Sequence, residues 1–216
     1  MKKRITALGL LWCLSAVMLQ AARVDTVLVR SVAMNKDVKV VYVLPDKAIG
    51  KQACPVVYLL HGYGGNARSW VQLKPELPQM ADEKGIIFVC PDGKNSWYWD
   101  SPENPAYRYE TFVTSELVKY TDGNYATIPD RKARAISGLS MGGHGALWSA
   151  IRHKDVFGAA GSMSGGVDIR PFPQNWEMSK QLGEFAANKA SWDAHTVVNQ
   201  LDKIVKWRLG ANHRLR

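Results

Sequence analysis

Two runs in this chain, Pro55 to Leu60 (PVVYLL) and Gly85 to Cys90 (GIIFVC), carry no charged side chain and show no alternation of apolar with polar residues. A strand with one wet face alternates; a strand without alternation must be covered on both faces. Helices packed on both sides of a mostly parallel sheet supply that cover, so the sequence predicts an α/β fold. The segments around the two runs agree. Ser69 to Leu73, Pro75 to Lys84 and Arg108 to Tyr120 have helix-like apolar spacing, the second interrupted by Pro78. Asp25 to Val32 and Val38 to Leu44 roughly alternate on either side of a turn at Asn35 and Lys36, which predicts an N-terminal antiparallel hairpin. Ala133 to Ile136 and Phe157 to Met163 read as further strands. Gly142 to His153, Trp176 to Ala186 and Ser191 to Leu201 read as helical, and Gly165 to Gln174, with Pro171 and Pro173, as a loop. With no internal repeat and no linker, residues 23–216 are expected to form one domain.

Between the strand ending at Ile136 and the helix starting at Gly142 stands Gly138-Leu139-Ser140-Met141-Gly142, a G-x-S-x-G sequence. In a strand-turn-helix context this is the pattern of a nucleophile elbow, where the turn is too tight for side chains beside the serine and its strain lifts the hydroxyl off the sheet. Ser140 is the candidate nucleophile. The turn after PVVYLL, His61-Gly62-Tyr63-Gly64-Gly65, holds the place of the second half of an oxyanion hole, whose donors would be the main-chain N–H groups of Tyr63 and Met141. A phosphate-binding loop is excluded here because the Lys-Ser/Thr ending is absent.

The segments YLLHGYGG (Tyr58 to Gly65), CPDG (Cys90 to Gly93) and SGLSMGGHGAL (Ser137 to Leu147) resemble the secreted esterase D and feruloyl-esterase-like branch of the α/β-hydrolases, over Val38 to about Lys203. The resemblance implies an acyl-serine mechanism on carboxylic esters, among them acyl or feruloyl esters of carbohydrates, with no metal or cofactor. Ser140 would attack, a histidine would move the proton, and a carboxylate would orient the histidine. The same groups are compatible with acyl transfer to an alcohol, or with ligand binding alone.

The acid and the histidine of this fold follow the serine, on loops after later strands. Only 76 residues follow Ser140, and the elements above occupy them to Leu201, leaving Ile204 to Trp207 as the start of one more strand. The tail from Val205 has no acidic residue. The sequence therefore predicts a chain truncated before its acid and base, with the last strands missing. Asp168 with His195 is the alternative pair within the chain; His213 lacks a strand to position it, and His61, His144 and His153 read as structural. Trp97, Tyr98 and Trp99, in the loop Lys94 to Pro105, either cap the core or wall a substrate site at the ends of the parallel strands.

Lys2-Lys3-Arg4, the apolar run Ile5 to Leu19 and Ala21-Ala22 predict a signal peptide over residues 1–22 and a secreted or periplasmic protein. The run is shorter than the ~20 residues a membrane span needs, so no stable membrane association is expected after cleavage. Of the net charge of +9, three charges lie at Lys2, Lys3 and Arg4 and five at Lys203, Lys206, Arg208, Arg214 and Arg216, leaving +1 for residues 5–202. A body so nearly neutral offers no phosphate-binding surface, which argues against a nucleic-acid partner and for a small-molecule or carbohydrate ester. Cys54 and Cys90 flank successive parallel strands from opposite ends, too far apart to bridge, and are expected to be buried free thiols.

Overall fold

The computed structural model describes residues 22–208. The signal-peptide expectation falls almost entirely outside the described residues, and His213 lies outside them as well. Six strands form one sheet: β1 (Arg23–Ser31), β2 (Lys36–Leu44), β3 (Val56–Leu60), β4 (Ile87–Pro91), β5 (Arg134–Leu139) and β6 (Ala159–Met163), in the order β1-β2-β4-β3-β5-β6. β1 and β2 make the expected antiparallel hairpin, with Ser31 opposite Lys36 and Asn35 in the left-handed region at φ 50°. β2 joins β4 antiparallel, and β4, β3, β5 and β6 run parallel.

Both faces of the sheet are covered, for the reason visible in the sequence. Val40, Tyr42, Leu44, Tyr58, Leu60 and Val89 point into one apolar layer, beneath Phe112, Leu117, Trp148 and Ile151. The alternate residues Val41, Val43, Leu59, Phe88 and Cys90 point into the other, against Trp70, Leu77 and Ala81. The helices Ser69–Leu73 and Leu77–Lys84 therefore pack on one side. On the other lie the elbow helix Met141–Arg152 and a long helix from Tyr109 to Asn124, whose middle, Phe112–Glu116, widens into a π-helical segment. Cys54 and Cys90 are buried and unpaired, and burial raises both thiols.

Two expectations need correction. The stretch from Trp176 to Ala186 is helical only over Ser179–Leu182, because Trp176 and Glu177 both adopt positive φ, 51° and 53°, and break the turn before it can start. Ile204 to Trp207 is not the start of a strand. It belongs to the helix Leu201–Arg208, whose Ile204 lies in an apolar groove with Leu147, Ile151 and Phe157, so contact with the elbow helix decides its conformation. Among the described residues β6 is the last strand, is paired on one side only and is mostly exposed on its faces.

Because β3, β4, β5 and β6 are parallel, the turns that follow them gather at one end of the sheet. The register sets Leu60 beside Gly138 and Leu139 beside Met163, so the His61 turn and the start of the loop after Met163 flank Ser140 from two sides.

Candidate active site

Ser140 has φ 55° and ψ −117°, a conformation that costs a residue with a side chain of order 1–3 kcal/mol and survives only where neighbours impose it. The neighbours are explicit. Its N–H donates to the Met163 carbonyl at 2.8 Å and its own carbonyl accepts from the His144 N–H at 3.0 Å. A Cβ on Gly138 would stand 2.1 Å from the Gly142 carbonyl oxygen, and one on Gly142 would stand 2.2 Å from that of Leu60, so strand, turn and helix close on one another only with glycine at both positions. The Ser140 side chain is left exposed at the tip.

The turn after β3 is held by His61, which is buried. Its Nδ1–H donates to the Gly62 carbonyl at 2.7 Å and its Nε2 accepts the Gly93 N–H at 2.9 Å, which fixes a neutral ring. Asp92, 3.8 Å from that Nε2, is therefore a neighbour and not an ion-pair partner of the ring. Burial opposes the charge of Asp92, yet its hydrogen bonds and the Lys94 ammonium at 2.8 Å keep it well below the usual carboxylate range. Gly62 passes so near the turn that a Cβ there would lie 3.5 Å from that of Ser140. Among the described residues the main-chain N–H groups of Tyr63 and Met141 have no hydrogen-bond partner.

Ser140 opens into a cavity of about 200 Å³ walled by Tyr63, Trp97, Ile169, Phe172, Trp176 and Met178. Of the three aromatics singled out in the loop, only Trp97 is a wall. Tyr98 and Trp99 are fully buried and serve the core. The Tyr98 ring wedges against Gly93 and Gly145 with its hydroxyl on the His61 carbonyl at 3.2 Å, and the Trp99 indole donates to His144 Nε2 at 2.8 Å. Trp97 and Tyr98 at φ 57° and 61° and Ser164 at 51° add strain around the cavity, where Trp97 Nε1 reaches the Trp176 carbonyl at 3.4 Å. Phe172 and Trp176 were not anticipated; the available signal was two large aromatics in a Pro-rich loop following a parallel strand.

Residues 31–208 match the family described as "Putative esterase". The chain belongs to that family. It is 28% identical over 132 residues to an acetyl esterase of Caldicellulosiruptor saccharolyticus, a match covering 57% of this chain and 49% of that one. The chain thus spans about half the length of that relative. Among solved structures, a ferulic acid esterase superposes with a TM-score of 0.69 at 28% identity, covering 83% of this chain and 71% of the other. The fluorophosphonate-binding serine hydrolase FphF of Staphylococcus aureus superposes with a TM-score of 0.77 at 18% identity, over 88% and 76%, and shares the α/β-hydrolase fold.

The alternative acid and base do not assemble in this esterase-family chain. Asp168 lines the Ser140 cavity, but Arg170 holds both its oxygens at 2.8 Å, a contact that keeps the carboxylate below its ordinary range despite partial burial. His195 lies elsewhere, stacked on Trp148 with its Nδ1–H on the Ser191 carbonyl at 2.7 Å, and it opens into a separate hollow with Glu110 and Arg152. The physical reason is local: His195 ends the helix Lys189–Ala194, and its ring turns back onto the Ser191 carbonyl of that helix and stacks on Trp148. His144 is fully buried, with Nδ1–H on the Gly166 carbonyl, and burial first of all lowers it to about 4. His153 donates to Glu110 at 2.7 Å. Among the described residues no imidazole or carboxylate hydrogen-bonds the Ser140 hydroxyl, and no group of His, Cys, Asp and Glu is disposed to hold a metal ion.

Proposed function

We propose that this chain is a serine carboxylic ester hydrolase in which Ser140 forms an acyl-serine intermediate, acting on acyl or feruloyl esters of carbohydrates. The observation that carries the reading is the strained Ser140, presented to an aromatic cavity beside two uncommitted N–H donors. The Ser140 oxygen adds to the ester carbonyl, and the oxyanion forms toward the N–H groups of Tyr63 and Met141. The alcohol then leaves with a proton, and water releases the acid. The ferulic acid esterase likeness and the ring-lined cavity support a planar aromatic acyl group. With no base on Ser140 among the described residues, turnover by residues 1–216 should be slow, with residual catalysis of about 10³–10⁴ over water supplied by the oxyanion donors and binding.

The test is covalent labelling by a fluorophosphonate together with hydrolysis of a chromogenic acetate and a feruloyl ester, by wild type and Ser140→Ala. Labelling should vanish in the variant, while the slow hydrolysis supplied by the oxyanion donors and binding remains in both; equal labelling of the two proteins would refute the reading.

The export signal is also proposed, over residues 1–22 with cleavage near Ala21 or Ala22. Ala22 is buried in the core and its nitrogen donates to Asp82 Oδ2 at 2.7 Å, so a new ammonium there would gain an ion pair. Exported protein should begin at Ala22 or Arg23 by N-terminal sequencing; a chain still starting at Met1 would refute this.

A further inference from the structure

Tyr63, whose N–H is one of the two oxyanion donors, stands between two peptide units, and each is pinned. A peptide unit is planar and trans, so a fixed carbonyl fixes the direction of the N–H across the bond from it. The Gly62 carbonyl accepts from His61 Nδ1 at 2.7 Å and from the Gly65 N–H at 3.0 Å, which aims the Tyr63 N–H the opposite way. The following peptide is held by its other end. Its N–H, that of Gly64, donates to Asn95 Oδ1 at 3.0 Å. A Cβ on Gly64, at φ 75°, would meet nothing within 4 Å, so no packing on that side backs the turn and the Asn95 bond is left to restrain it.

Asn95 is held in its turn. Because its oxygen accepts from Gly64, its amide nitrogen is free to donate, and it reaches Glu177 Oε2 at 3.3 Å. Lys180 binds the other oxygen of Glu177, and Lys180, then the Tyr63 hydroxyl and Asn95, keep this carboxylate below its ordinary range. Glu177 follows Trp176, a wall of the Ser140 cavity, and both residues have positive φ, a strain that persists only where the surroundings impose it. Exposed contacts such as these add little to stability. What the series of bonds does is join the loop that walls the cavity to the turn that carries Tyr63.

We propose that Asn95 and Glu177 are positioning residues for ester hydrolysis: Glu177 orients Asn95, Asn95 holds the Gly64 N–H, and Tyr63 is thereby kept with its own N–H toward the oxyanion. The proposal rests on the reading of Tyr63 as an oxyanion donor. Neither side chain has to touch the ester. Outright loss of an oxyanion donor costs about 10²–10³ in kcat, and a donor that stays but is poorly aimed should cost about tenfold.

The full chain is assayed for hydrolysis of a chromogenic acetate, with kcat and KM separated, as wild type, Asn95→Ala, Glu177→Ala, Glu177→Gln and the Asn95→Ala/Glu177→Ala double variant. Asn95→Ala is also made on Ser140→Ala, where the residual hydrolysis reads the oxyanion donors without the nucleophile. Asn95→Ala should lower kcat about tenfold in both backgrounds with KM within about twofold, and the melting temperature should not move. Glu177→Ala should lower kcat by about threefold, and Glu177→Gln, which keeps an oxygen for Asn95, should restore it. The double variant should be no slower than Asn95→Ala, because the two residues act in series; independent residues would multiply their losses. Should Asn95→Ala fail to fold, the Glu177 variants, at an exposed position, carry the test. An unchanged kcat in the folded variants, a loss confined to KM, multiplied losses, or a glutamine variant as slow as the alanine one overturns the proposal. The expected falls in kcat without fluorophosphonate labelling of Ser140 would instead refute the acyl-serine reading and leave the positioning roles standing.

Discussion

Acid should loosen the elbow helix through one carboxylate, Glu110. It is 7% exposed, at the start of the long helix, and binds three side chains of the elbow helix and its end: Trp148 Nε1 at 2.9 Å, Arg152 Nε at 2.7 Å and His153 Nε2 at 2.7 Å. Burial works against its charge, but the hydrogen bonds from His153, Arg152 and Trp148, with the Arg152 charge, bring its pKa from 4.5 down to about 2. A carboxyl depressed on folding stabilises the native state fully above its unfolded pKa, and that stability is lost as pH falls through the folded value. The interval from 4.5 to 2 corresponds to about 3 kcal/mol, of which about 2 kcal/mol is gone by pH 3. Against a total stability of roughly 5–15 kcal/mol this is measurable. Urea unfolding of wild type and Glu110→Gln at pH 7 and pH 3, followed by tryptophan fluorescence, reads it. At pH 7 the variant should be less stable by about 3 kcal/mol, and at pH 3 the gap should shrink by about 2. A gap of equal size at both pH values would refute the reasoning, since it would place the loss in packing and not in charge.

Replacing Ser140 by glycine should raise the melting temperature, by about 1 kcal/mol of released backbone strain, while abolishing fluorophosphonate labelling; a lower melting temperature would contradict the strain argument. Gly142→Ala should cost about 1–3 kcal/mol in denaturant unfolding, because its methyl would stand 2.2 Å from the Leu60 carbonyl oxygen and push the elbow off β3. Trp176→Ala should lower kcat/KM for a feruloyl ester about tenfold relative to an acetyl ester, the worth of one lost aromatic contact; equal losses on both esters would remove Trp176 from acyl recognition.

Much of the architecture was legible because it follows from which residues must avoid water. PVVYLL and GIIFVC demanded cover on both faces and received it, and the short helix Ser69–Leu73 falls where its spacing put it. The segment after Trp176 was not legible, because its course depends on two left-handed residues whose strain is held by Trp97 across the cavity. Nor was Ile204, whose helix depends on the groove beside the elbow helix.

By itself the sequence determined the elbow: no residue but glycine fits at Gly138 and Gly142 once a serine must sit at the tip, so the motif and its geometry are one constraint. The tertiary structure decided what surrounds it. Tyr98 and Trp99, adjacent to Trp97 in the chain, turn into the core, while Phe172 and Trp176, more than 30 residues after Ser140 in the sequence, wall the cavity. Which way a ring faces is set by what packs behind it, here Gly93, Gly145 and His144, and that information belongs to the folded chain. The same holds for Asp168 and His195, a plausible acid and base in sequence order that an arginine pair and a helix end turn to other partners.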